Sequence, residues 1–117
     1  MDTFTRAYIE AMLWSSMDHT NEQGGNPLDQ KYSSDDIAPD TLDTINADCA
    51  TFQEAHAEDI NSQNEAAGHD FWLTRNRHGA GFWDGDWPKE AGERLTAAAH
   101  AFGELAPYVG DDGKIYL

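Results

Sequence analysis

The chain has 117 residues, 39% of them hydrophobic and 11% aromatic, which is enough for one domain with a modest core and too apolar for a disordered segment. Seven basic against 22 acidic residues leave a net charge of −15, which disfavours nucleic acid and anionic lipid as direct partners and favours basic surfaces. No run of about 18 apolar residues marks a membrane span, and the lone Cys49 excludes an internal disulfide and suits a reducing cytoplasm.

The opening Met-Asp-Thr-Phe-Thr-Arg lacks a basic stretch followed by an apolar one, so no secretory signal is expected. Over residues 2–17, Phe4, Tyr8, Ala11 and Met12 recur at helical spacing beside Ile9, Leu13 and Trp14, predicting a first helix capped by Asp2 or Thr3. Residues 18–33 read as a loop, broken by Asn21, Gly24, Gly25, Asn26 and Pro27 and anchored by Leu28 and Tyr32. Ser33 or Ser34 starts a capped acidic turn with Asp36 as its box residue.

Pro39 suits the first turn of a second helix, expected from about residue 39 to 66 with Gly68 as its C-cap. Leu42, Ile45, Cys49, Phe52, His56 and Ile60 are spaced three or four apart and form one apolar stripe. At about 100° per residue, Asp36, Asp40, Asp43, Glu54 and Glu58 gather on the opposite face, with Asp48 and Asp59 flanking it. The expectation is a rod of roughly 40 Å with an oily side and an acidic side.

His69-Asp-Phe-Trp-Leu-Thr-Arg reads as a strand, residues 76–79 as a turn, and Ala80-Gly-Phe-Trp-Asp as the returning strand. Trp87-Pro88 opens a third helix with Asp86 as cap, Ala91, Leu95, Ala98, Ala99 and Phe102 as its buried face, and Gly103 as its end. The tail from Tyr108 reads as a hairpin around residues 110–113. The expected architecture is a single α+β domain over residues 1–117. It has two N-terminal helices, an aromatic β-hairpin, a third helix and a C-terminal β-hairpin, forming a small antiparallel sheet.

The chemical motifs are weak. His69-Asp70 resembles a metal-ligand pair but lacks the further ligands, and a structural role is favoured. Asp84-Gly-Asp86 opens like a calcium loop, yet the twelfth position is Leu95 rather than glutamate. His78-Gly-Ala-Gly-Phe is similar to an oxyanion loop without any Gly-x-Ser-x-Gly nucleophile, and Gly79-x-Gly81 is not a dinucleotide fingerprint. Cys49 sits on the apolar stripe as core, and a single cysteine supports no Cys/His zinc set. Arg75 and Arg77 either neutralise carboxylates or stack on Trp72 or Trp83, with an internal role favoured over a recognition tip. No catalytic residue, cofactor or metal is expected.

The segment from Ala67 to Asp84, Ala-Gly-His-Asp-Phe-Trp-Leu-Thr-Arg-Asn-Arg-His-Gly-Ala-Gly-Phe-Trp-Asp, resembles one found in a family of small bacteriophage and prophage proteins. The ending from Tyr108 to Leu117 and the opening from Tyr8 to Asp36 are similar to that family too. Arg77 departs from the glycine expected there. The resemblance implies an origin in mobile genetic elements. In that context the charge suggests a non-enzymatic cytoplasmic inhibitor of a host nucleic-acid-binding defence complex, of the anti-CRISPR or anti-restriction type. Its contact residues would be Asp36, Asp40, Asp43, Asp48, Glu54, Glu58 and Asp59, acting in part by nucleic-acid mimicry, with loop acids such as Asp18, Glu22, Asp29 and Asp35 contributing. The alternatives are a phage accessory protein that self-associates through its tryptophans and, less favoured, a small metal-dependent hydrolase using His69, Asp70 and His78.

Overall fold

The computed structural model describes residues 1–18 and 26–117, with the side chain of Asp18 excepted. The expected loop breakers Asn21, Gly24 and Gly25 and the acid Glu22 lie outside the described residues. Among the described residues, four α-helices carry the architecture: α1 (Thr3–Ser15), α2 (Pro39–Ile60), α3 (Asn64–Arg75) and α4 (Lys89–Phe102). Two minimal antiparallel ladders accompany them. β1 (Met17–Asp18) pairs with β2 (Asn26–Pro27), and β3 (Tyr108–Val109) pairs with β4 (Ile115–Tyr116).

The first helix forms as its spacing predicts. Asp2 caps it, accepting a 2.8 Å hydrogen bond from the Thr5 amide, and Phe4, Tyr8, Ala11 and Met12 are buried. Leu28 is fully buried and its amide donates to the Ser16 carbonyl at 2.9 Å. Ser33 and Asp36 make the reciprocal capping box. The stripe of α2 is buried at Ile45, Cys49, Phe52 and Ile60. The start of α2 is tied to the chain's end, because the Ala38 amide donates to the Ile115 carbonyl at 2.9 Å.

Two expectations are corrected. The second helix does not reach residue 66. His56 departs from helical geometry, and Asn61 and Ser62 take left-handed conformations at φ 50° and 65°. Asparagine tolerates that region better than most residues, so the chain turns there instead of extending the rod. The expected aromatic β-hairpin is absent. Residues 69–75 continue α3, and residues 76–88 form an irregular loop. The run Phe71, Trp72, Leu73, Thr74 and Arg75 is buried without a break, as expected of a helix covered on all sides. Gly68 is no C-cap but the crossing point of α1 and α3. The Phe4 carbonyl occupies the space that a β-carbon there would need.

α3 ends in a Schellman motif. The His78 amide donates to the Leu73 carbonyl and the Arg77 amide to the Thr74 carbonyl, both at 3.0 Å, with Arg77 at φ 57°. That is the position where glycine ordinarily sits. α4 starts at Lys89 without a side-chain cap, and Asp86 is exposed. Pro88, at φ −54° and ψ 142°, takes the N-cap position, which leaves Asp86 two residues outside the helix end.

One aromatic cluster joins the helices. Phe52 stacks on Phe71 at 4.1 Å between centroids, Phe71 meets Phe102 edge-on at 5.0 Å, and Phe82 meets Trp87 at 5.3 Å. Trp72 is buried with its indole donating to Ser15 Oγ at 2.8 Å.

Candidate functional site

The outer face of α2 holds the exposed carboxylates. Asp40, Asp43 and Glu54 are exposed and fall within about 60° of one another around the helix. Glu58, also exposed, continues the row past the His56 kink. None of the four has an ion-pair partner among the described residues. Along the axis they form two pairs. About 16 Å of helix separates Asp43 from Glu54, and Ala47, Ala50 and Thr51 fill that stretch of the face.

The remaining expected contact residues are engaged elsewhere. Asp48 accepts a 3.0 Å bond from Arg75 Nη1. Arg75, 2% exposed, also donates to Tyr8 Oη at 3.1 Å, to the Gly103 carbonyl at 2.9 Å and to the Phe102 carbonyl at 3.0 Å. The guanidinium further lies 5.6 Å from the Phe71 ring and 5.5 Å from the Phe102 ring. It is a buried staple joining α1, α2, α3 and the end of α4. Asp59 binds Arg94 of α4 through two bonds, at 2.9 and 2.6 Å, and that pairing lowers its carboxyl below the ordinary range. Asp36 accepts from the Ser33 amide within its capping box. The flanking acids thus face the protein because α3 and α4 bring arginines to that side of α2.

The residues of the hydrolase alternative are separated. His69 Nδ1 lies 3.2 Å from Asp70 Oδ1 and its ring lies against Trp14 at 5.5 Å. His78 lies instead with Arg77 and Trp83. Asp70 is buried, and its other oxygen accepts a 2.8 Å bond from the Trp87 indole. Burial raises its carboxyl above the ordinary value, partly offset by the Trp87 and His69 bonds. The pair therefore links α3 to the 76–88 loop. Among the described residues, no group of three His, Cys, Asp or Glu side chains could hold a metal.

Sequence reasoning missed a cleft between the 76–88 loop and α4, with a volume of about 650 Å³. Phe82 and Trp87 form its buried wall, and Gly92 admits the loop backbone, since a β-carbon there would lie 2.6 Å from the Phe82 carbonyl oxygen. Trp83 is 46% exposed. A smaller hollow lined by Arg77 and His78 adjoins, and Trp83, Thr96 and His100 border both. The only readable signal was the small residue Gly92 in a helix, facing aromatics in the preceding loop.

No protein-family model, curated protein or solved structure matches the chain.

Proposed function

We propose that the protein is a non-enzymatic, phage-derived inhibitor that docks the outer face of α2 on the basic surface of a host nucleic-acid-binding protein, of the anti-CRISPR or anti-restriction kind. The supporting observation is the exposed row Asp40, Asp43, Glu54 and Glu58, which keeps its charge available while the flanking acids are neutralised by Arg75 and Arg94. The row spans about 27 Å, a length over which duplex DNA presents roughly 16 charges. Four carboxylates in two pairs therefore block two basic clusters rather than copy a phosphate ladder. Asp29 and Asp35 are exposed as well.

The test is affinity capture from bacterial lysate with the wild type and with a D40K/D43K double variant as baits. The expected outcome is a nucleic-acid-binding protein held by the wild type, released by salt, displaced by duplex DNA and lost with the variant. Capture indifferent to salt and to the variant would overturn the electrostatic reading.

A second reading has its own observation. Trp14 and Trp83 remain 45% and 46% exposed, and self-association would cover them. Light scattering across concentration separates the two, because a strict monomer removes the second.

A further inference from the structure

The geometry points to a second, independent binding site: the cleft between the 76–88 loop and α4 takes a planar aromatic anion of nucleoside-monophosphate size, its ring on Trp83 and its anionic group toward Arg77.

Four observations carry this. The first is that Trp83 is exposed yet held. Its ring edge packs over Gly81, where a β-carbon would fall within 2.6 Å of the indole and onto the Thr74 hydroxyl. The loop beneath is pinned by the Phe82 amide donating to Thr74 Oγ1 at 3.2 Å and by Asp84 bonded back to the Gly81 amide at 3.3 Å. An indole positioned with an open face is a stacking platform, and every nucleobase has a π-face to offer it.

The second is the volume, about 650 Å³, within the range of small-ligand clefts. The third is Thr96. The residue borders both parts of the cleft, and its hydroxyl is the one buried side-chain oxygen or nitrogen without a hydrogen-bond partner among the described residues. Buried hydroxyls are almost always paired. A polar edge of a bound ring that reached this hydroxyl would satisfy it.

The fourth is charge and strain together. The hollow at this end is lined by Arg77, His78, Trp83, Thr96 and His100 and by no carboxylate, in a chain of net charge −15. Lys89 lines the other end, where Glu93 is the single acid of the lining. Arg77 occupies a left-handed position that glycine would fill without strain. An arginine kept in that position beside an exposed indole supports a role for its side chain at this site. Its guanidinium suits a phosphate or carboxylate geometrically. A small anion carrying one or two charges meets far less overall repulsion than a polymer does, so the acidity that disfavours nucleic acid leaves this site usable.

The experiment titrates the full chain with AMP and with GMP by calorimetry and by NMR of the backbone amides, with adenosine and ribose 5-phosphate as half-ligands. Expected are saturable binding of at least one nucleotide below about 10 mM, amide shifts centred on residues 77–100, and weaker binding of each half-ligand. Trp83→Ala and Thr96→Val each weaken it about tenfold or more. Arg77→Gly is the discriminating variant, because it raises the melting temperature while weakening the nucleotide by a similar factor; a purely structural Arg77 would leave binding unchanged. Absence of saturable binding for both nucleotides, or binding unaffected by all three variants, would overturn the assignment. Neither result bears on capture through Asp40 and Asp43.

Discussion

The guanidinium of Arg75 lies 3.0 Å from the carboxylate of Asp48, with the arginine side chain 2% exposed and the aspartate 27%. The guanidinium is enclosed while the aspartate reaches solvent, and the arginine's other donors are met by Tyr8 and two carbonyls at the end of α4. Removing the arginine strands those acceptors and Asp48 together. Arg75→Ala is expected to destabilise the fold by about 3–5 kcal/mol. Asp48→Asn keeps a side-chain oxygen for Arg75 Nη1 and leaves the other acceptors in place, and should cost about 1 kcal/mol. Urea midpoints of the two variants give the comparison, and equal losses would contradict it.

The contact of Gly68 with Phe4 admits no side chain. Gly68→Ala drives a methyl group against backbone, which cannot rotate away, so it should cost about 3 kcal/mol despite alanine's better helix propensity. Thermal unfolding followed by circular dichroism measures this. A stabilised variant would mean that α1 and α3 cross further apart than described.

Asp70 gives a pH signature. Burial raises its folded value above the ordinary 3.8, so the folded state holds this proton more tightly than the unfolded chain. The stability tied to this group is therefore fully present below about pH 3.8 and is lost as the pH rises through the folded value. Asp70→Asn keeps an oxygen for the Trp87 indole and removes the titration. Its stability relative to wild type should improve between about pH 3 and about pH 7. Urea unfolding at both ends of that range is the check, and a constant difference would refute the shift.

Cys49 should be silent. Burial pushes its thiol up to about 12, and the side chain is fully enclosed. A disulfide reagent is expected to react about 100-fold or more slowly with the native protein than with the unfolded chain. Labelling across a urea series should follow the unfolding curve, and fast labelling of the native protein would count against it.

At Arg77 the expected sign is opposite. Replacing it with glycine relieves the left-handed strain and should stabilise the fold by about 1 kcal/mol, measurable as a raised urea midpoint.

Periodic elements were legible in the sequence and the centre of the fold was not. The stripe of α2, the capping box at Ser33, the face of α4 and the hairpin near Gly113 follow from residue spacing and turn chemistry, which act locally. Phe71 to Arg75 misled because a short apolar run rich in aromatics suits a strand or an enclosed helix equally. The choice is made by α1, which covers it from more than 60 residues away. Gly68 was read as a helix end because sequence does not distinguish a left-handed glycine from one needed for close packing. The positions of Asp40, Asp43, Glu54 and Glu58 on one face follow from spacing, but Asp36 sits in the capping box before α2, and the engagement of Asp48 and Asp59 depends on where α3 and α4 deliver Arg75 and Arg94. The cleft at Trp83 left almost no trace, being made by a loop folding over a helix that follows it.

The pairing of α1 with α3 bears on how the chain is made. Phe4 leaves the ribosome 64 residues ahead of Gly68, a wait of roughly 3–13 s at ordinary rates of synthesis. During that interval the apolar stripe of α1 lacks its main cover. Residues 1–60 carry 13 acids against two bases, and their mutual repulsion keeps nascent chains apart in that interval. The same charge that disfavours binding nucleic acid thus protects the chain before its central helix arrives.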